Sequence, residues 1–265
     1  MCTDLDGTLL SDDKSISKEN IDAIEYFKSE GGAFTFVTGR MPFFAKSIYD
    51  TVVPNAPFVC INGGGIYDHV KCQYVWAQIM SRESLKLVDY VVERVEDVGV
   101  QINALDKIYF CKENLAQKVF REVTGVPNNV ADYKNISVDF AKILFVDHRE
   151  EALLKVAQLL AEHPLSKDFD FIRSEKTLYE ILPKGVHKGY GMKKLAGILG
   201  IDINKTIALG DYNNDIEMLR NAKVGIAVAN ACPEAKAVAD RITVSNNEHA
   251  IAKTVEELEK GLLGL

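Results

Sequence analysis

The chain has 265 residues, 47% of them hydrophobic and 26% charged, which suits one large globular domain or two unequal ones. Lys and Arg total 31 against 38 Asp and Glu, a net charge of −7, so a nucleic acid is excluded as the main partner and an anionic substrate needs a local attractor. No apolar run nears the ~18 residues that span a bilayer, and Met1-Cys2-Thr3-Asp4 has neither a basic nor an apolar leader region. A soluble cytoplasmic protein, monomer or weak homodimer, is the expectation. Cys2, Cys60, Cys72, Cys111 and Cys232 are scattered, odd in number and without a C-x-x-C pair, so buried reduced thiols are expected rather than disulfides. The five histidines show no zinc-ligand spacing.

Through residue 79 strand and helix alternate. Met1 to Leu5 is a short apolar start. Ser17 caps a helix with Ile21, Ile24 and Phe27 on one face, stopped by Gly31-Gly32. Ala33–Val37 reads as a buried strand, Pro42 opens the next helix, and Phe58–Ile61 is a further strand before Asn62-Gly63-Gly64-Gly65. This order predicts a parallel sheet with right-handed crossovers. Residues 80–183 read differently. Helices near Ser81 (Leu85, Val88, Val92, Val95 inward), at 114–123 and at 150–162 are mixed with strands at 100–104, 107–111, 142–147, 170–173 and 178–182. Closely spaced strands imply antiparallel pairing. After Pro183 alternation returns, with a helix at 188–199, a strand at 206–209, a helix at 214–221, a strand at 224–228 and a helical tail carrying Ile251, Val255, Leu258 and Leu262. The expected fold is α/β, a Rossmann-like parallel-sheet core (1–79 and 184–265) with an inserted α+β cap domain (80–183).

Ligands of open α/β sheets bind beyond the carboxyl ends of the strands. The core strands run, in chain order, into Asp4-Leu5-Asp6-Gly7-Thr8, Thr38-Gly39-Arg40, Asn62-Gly63-Gly64 and Gly210-Asp211-Tyr212-Asn213-Asn214-Asp215. Four acids gathered at one edge repel unless a cation neutralises them, and all-oxygen ligation favours Mg²⁺ over Ca²⁺. Thr38 and Gly39 can form an anion nest. Lys188, at the start of a helix, makes sense if lysine and helix end aim at one anion. Each piece alone has a plainer reading: a turn at Asp6-Gly7, a first-turn acid at Asp215, a solvated surface lysine at 188. Their occurrence in order, each beside the right element, decides between them.

The motifs Asp4-Leu5-Asp6-Gly7-Thr8-Leu9-Leu10, Val37-Thr38-Gly39-Arg40, Val186-His187-Lys188-Gly189 and Gly210-Asp211-Tyr212-Asn213-Asn214-Asp215 resemble those of the haloacid dehalogenase-like phosphohydrolases, specifically the Cof-type branch with the larger α/β (type IIB) cap. The resemblance spans the chain. It implies Asp4 as nucleophile and Asp6 as general acid/base. It implies that the backbone N–H of Leu5 with Thr38, Gly39, Lys188 and Asn214 holds the phosphoryl group. Asp4, the backbone carbonyl of Asp6, and Asp211 would ligate Mg²⁺, with Asp215 ligating or orienting the metal shell. The implied activity is Mg²⁺-dependent hydrolysis of small phosphorylated metabolites, sugar phosphates first, through an aspartyl-phosphate, with specificity set in the cap. A phosphomutase with the same nucleophile and a non-enzymatic sugar-phosphate sensor are the alternatives. Ala229 and Ala250 stand where the family usually or often has Gly. Only Met1-Cys2-Thr3 precede Asp4, short for a central strand, which is read as a truncated strand or a start upstream.

Overall fold

The computed structural model describes residues 1–264. Two compact units divide the chain, Met1–Ala77 with His187–Leu265, and Gln78–Val186, so the divisions fall at 77/78 and 186/187 against the expected 79/80 and 183/184. Up to Ala77 the elements are β1 (Cys2–Thr3), α1 (Lys18–Ser29), β2 (Thr35–Phe36), α2 (Lys46–Thr51), β3 (Phe58–Cys60), β4 (Gly65–Asp68) and β5 (Gln73–Ala77). Then come α3 (Leu85–Val92), β6 (Gly99–Ala104), β7 (Ile108–Lys112), α4 (Leu115–Thr124), β8 (Phe140–Val146), α5 (Glu150–Glu162), β9 (Phe169–Glu175) and β10 (Leu178–Pro183). The remainder is α6 (Lys188–Leu199), β11 (Ile207–Gly210), α7 (Ile216–Asn221), β12 (Val224–Ala227), α8 (Pro233–Val238), β13 (Arg241–Ile242) and α9 (Ala250–Glu259).

The first unit is built on a parallel sheet of order β13-β12-β11-β1-β2. β1 is two residues long, yet each has a neighbour on both sides: Cys2 opposes Ala208 and Thr35, and Thr3 opposes Leu209 and Phe36. Strand order reverses at β1, so the groups just past the ends of β1, β2 and β11 gather at one crevice. Cys2, Val37, Val59, Met192, Leu195, Ala208, Met218 and Ala227 pack in the core that holds these strands to α6 and α7.

The expected parallel strand at 58–61 is different. β3 meets the parallel sheet through a single bridge, Val37 to Val59, and otherwise opens an antiparallel β3-β4-β5 sheet. Ile61 and Asn62 lie in left-handed backbone and turn the chain straight back. The hairpin β4-β5 was not expected, because Gln73–Ala77 shows no period-two apolar alternation in its sequence. Its tip is closed by Asp68, whose Oδ1 accepts from the N–H of Val70 and Lys71.

Gln78–Val186 carries its own antiparallel sheet, order β7-β6-β8-β10-β9, and adds no strand to the parallel sheet. Leu87, Val88 and Val91 of α3 and Leu153, Val156 and Leu160 of α5 pack on Val100, Ile102, Ile143, Phe145 and Ile181 of the sheet. Leu85 and Val92, expected inward, are only partly buried, so the inward stripe is rotated from the one expected. The tail shifts too: α9 ends at Glu259, Gly261 adopts φ 68°, and Leu263 rather than Leu262 is buried. Only Cys2 and Cys60 are buried thiols; Cys111 and Cys232 are intermediate and Cys72 is exposed. Among the described residues no helix is long and apolar enough to cross a membrane.

Candidate active site

Asp4 immediately follows β1. Its N–H donates to Leu209 O at 3.0 Å, continuing the ladder to β11 and setting the side chain beside the loop after β11. Leu5 buries its side chain completely, so what it can offer the turn is backbone. The turn then needs Gly7. Its φ is +81°, and a Cβ there would lie 2.6 Å from Asp211 Oδ2. Thr8 completes the turn, donating from Oγ1 to Asp211 Oδ1 at 2.9 Å.

The loop after β11 is folded around Asp215. Its Oδ2 accepts from the N–H of Asp211 at 2.9 Å and of Tyr212 at 3.0 Å, and Gly210 leaves room for it. The expected helix at 214–221 begins instead as a 3₁₀ turn, Asn213–Asp215, and Asn214 sits in that turn. Asn214 Nδ2 donates to Asn62 Oδ1 at 3.0 Å.

Lys188 is the first residue of α6, capped by His187, whose Nδ1 accepts from the N–H of Tyr190 at 3.1 Å. It is not a surface lysine. It is 1% exposed, and its Nζ donates to Asp4 Oδ1 and to Asp215 Oδ1, each at 2.6 Å. Asp4, Asp211 and Asp215 bring one carboxylate oxygen each to within 4.8 Å of one another. Three carboxylates against one ammonium leave an acidic surplus in a largely buried site. Burial pushes the Asp4 carboxyl well above its usual range, with Asp215 and Asp211 adding to this and Lys188 opposing it. Burial and then Asp215 raise Asp211 to about 6. Burial works against the Lys188 ammonium, but Asp215 and Asp4 outweigh it and hold its pKa above normal. An all-oxygen cluster with surplus negative charge fits a hard divalent cation.

Asp6 stands apart from that trio. Its carboxylate accepts from Arg40 Nε and Nη2, both at 2.7 Å, and from Lys14 Nζ at 2.9 Å. Burial acts to raise its pKa, but the Arg40 and Lys14 contacts overcome this and hold it at about 2. The four acids expected to converge are thus three plus one. Arg40 was visible only as the end of the Thr38-Gly39-Arg40 motif, and Lys14 carried no signal at all. Their common partner is 34 residues from one and 8 from the other.

Thr38 is 2% exposed, its N–H donates to Val59 O at 2.9 Å, and its Oγ1 accepts from the N–H of Arg40 at 3.1 Å. A Cβ on Gly39 would lie 2.8 Å from Asn62 Oδ1, so this loop needs a glycine for close approach. Asn230 Nδ2 donates to Gly7 O at 2.8 Å, tying the β12–α8 segment to the Asp4 turn.

The model of the haloacid dehalogenase-like hydrolase family matches residues 1–255. The chain is 29% identical over 262 residues to a Bacillus subtilis 5-amino-6-(5-phospho-D-ribitylamino)uracil phosphatase, YitU, covering 96% of this chain and 95% of the relative. It is 26% identical to the phosphatase YwpJ of the same organism, covering 96% and 98%. Among solved structures, the subclass IIB sugar phosphatase BT4131 shares the fold at a TM-score of 0.84, with 22% identity and 97% and 98% coverage. Matched along nearly its whole length by that family and by phosphatases within it, the chain belongs to the haloacid dehalogenase-like hydrolases and is a phosphatase of the Cof type.

Proposed function

We propose that this phosphatase hydrolyses small phosphorylated sugars and polyols in the cytoplasm, with Mg²⁺, by way of a phosphoryl group carried on Asp4. The observation that supports it most is the Lys188 ammonium shared between Asp4 and Asp215, with Asp211 completing the oxygen trio. Asp4, Asp211 and Asp215, with the backbone carbonyl of Asp6, are the proposed metal-holding groups. When bound, Mg²⁺ would supply neutralising charge, so that a carboxylate and a phosphate dianion can approach. Thr38, Gly39, Asn214 and the N–H of Leu5 would hold the phosphoryl oxygens together with Lys188.

An Asp4 carboxylate oxygen attacks phosphorus while the bond to the leaving oxygen breaks. Asp6 gives that oxygen a proton, and the alcohol departs. Water then attacks the phosphoryl group on Asp4, Asp6 takes the water's proton, and Asp4 is restored as inorganic phosphate leaves. Held by Arg40 and Lys14, Asp6 is a carboxylate, the form the second step requires. To act as the acid of the first step it must leave Arg40.

Relatives that act on a phosphoribityl compound, and a neighbour named for sugar phosphates, set the substrate panel. Phosphate release would be screened over sugar phosphates, polyol phosphates, 5-amino-6-(5-phospho-D-ribitylamino)uracil, nucleotides and phosphoproteins with Mg²⁺. The expected result is one or a few members turned over far faster than the rest. Preference for nucleotides or phosphoproteins over every sugar and polyol phosphate would contradict the substrate class.

A further inference from the structure

The segment Ile61-Asn62-Gly63 has no part in the chemistry above, yet all three of its residues have positive φ. Ile61 and Asn62 have φ of 55° and 51°. Left-handed backbone is tolerated by Asn but is an outlier for a β-branched residue, and two in succession persist only where the surroundings fix them. Here they are fixed to the second motif. The N–H of Ile61 donates to Arg40 O at 3.1 Å and that of Asn62 to Thr38 O at 3.0 Å, so the turn is bonded to both ends of the Thr38-Gly39-Arg40 loop. On its other side Gly63, at φ 97°, lies so close to the start of α6 that a Cβ would be 2.1 Å from His187 O.

The side chain of Asn62 is 1% exposed. Its Oδ1 accepts from Asn214 Nδ2 at 3.0 Å, and its amide packs on Gly39, leaving no room for a Cβ there. A turn alone accounts for an Asn at 62. It does not account for Ile61, for a buried amide aimed at Asn214, or for the closeness of Gly39. All three are explained if the turn exists to put that amide between the two loops.

We propose that Asn62 is a positioning residue for the phosphoryl site: its amide fixes the Asn214 side chain and seats the Gly39 turn, and the left-handed pair at 61–62 is what aims it there. This rests on the reading of Asn214 and of Thr38-Gly39 as phosphoryl-holding groups. Asn62 itself need not touch substrate. A group that only aligns others is worth about one hydrogen bond, three- to tenfold in affinity. Losing it should weaken anion binding without weakening the fold.

The test is inhibition by inorganic phosphate of p-nitrophenyl phosphate hydrolysis by the Mg²⁺-supplemented enzyme, with melting temperature measured alongside. Asn62→Gly accepts the positive φ without strain and removes the amide. Its inhibition constant should rise about three- to tenfold, with only a small change in melting temperature, because relief of the positive φ offsets part of the lost hydrogen bond. Asn214→Ala should raise the constant too, and the double variant should fall short of the product of the two single effects, because the Asn62–Asn214 contact is shared while the seating of the Gly39 turn is not. If Asn214→Ala weakens phosphate binding but Asn62→Gly does not, or if the two effects add, the positioning role is wrong while the site reading stands. A silent Asn214→Ala overturns both. A sharp fall in melting temperature for Asn62→Gly would assign the amide to the fold instead.

Discussion

Lys188 is the residue whose environment says most about the site. A lysine with 1% exposure is tolerated because Asp4 and Asp215 each accept a hydrogen bond from it at 2.6 Å. Removing one partner of a buried charge set typically costs about 3–5 kcal/mol, since the others are left uncompensated. Lys188→Met should therefore destabilise the metal-free protein to urea by an amount in that range, and added Mg²⁺ should restore part of it. An unchanged midpoint without Mg²⁺ would mean that the carboxylates are neutral rather than paired. Asp6 makes a second residue-scale case. Its carboxyl is held at about 2 against a usual 3.8, so the folded state binds this proton less readily than the unfolded state. The stabilisation is present above the unfolded value and is lost as pH falls from near 4 toward 2. With a third of the side chain exposed, the effect is a modest one. Asp6→Asn should lose less stability than the native chain across that window, measured by urea melts at a series of pH values. The same variant should still accept phosphate from p-nitrophenyl phosphate, whose leaving group needs little acid, and then turn over slowly, giving a burst in rapid-quench kinetics. Each lost acid or base role is worth about 10²–10⁴-fold. Equal losses on aryl and alkyl phosphates, with no burst, would remove Asp6 from the acid/base role.

Elements explain why the acids meet. β1 is too short to be found from its own pattern, but Asp4-Leu5-Asp6-Gly7-Thr8 marks its end, and pairing with β2 and β11 supplies the rest. Helices α1, α5 and α6 were legible from an apolar stripe in each; α5 and α6 match the expected ranges, and α1 begins just after its Ser17 cap. What was not legible depends on long-range contact. The β4-β5 hairpin is a half-buried ribbon whose second strand shows no apolar alternation, and the three-plus-one division of the acids turns on Arg40 and Lys14 reaching Asp6. Glycines separate the two kinds of constraint. Gly31 has φ 86° with open space around its Cα, whereas Gly63 has φ 97° and the His187 carbonyl 2.1 Å from where a Cβ would be. Gly31→Ala should cost about 1–2 kcal/mol, the penalty of left-handed backbone alone. Gly63→Ala should cost clearly more, because backbone cannot yield as a side-chain tip does. Comparable urea midpoints for the two variants would show that the β3–β4 turn can shift away from α6.

On the scale of the whole molecule, two separate hydrophobic cores divide the work. Gln78–Val186 has an antiparallel sheet and a core of Leu, Val, Ile and Phe contributed by its own residues. Expressed alone, residues 78–186 should unfold cooperatively in urea; a broad, non-cooperative transition would show that the other unit is needed to complete that core. Residues 1–77 and 187–264 carry every group assigned to phosphoryl chemistry, drawn from segments nearly 200 residues apart and joined at β1 and β11. The central claim is that Asp4 carries the phosphoryl group, and trapping it is the direct measurement. The Mg²⁺-supplemented Asp6→Asn variant, in which the phosphorylated form should accumulate, is mixed with p-nitrophenyl phosphate, quenched in acid and reduced with borohydride, which converts a phosphorylated aspartate to homoserine, and its peptides are analysed by mass spectrometry. Homoserine at position 4 alone, absent when substrate is omitted, is the expected result. An unmodified Asp4 in an enzyme caught during the burst, or modification of a different aspartate, would contradict it.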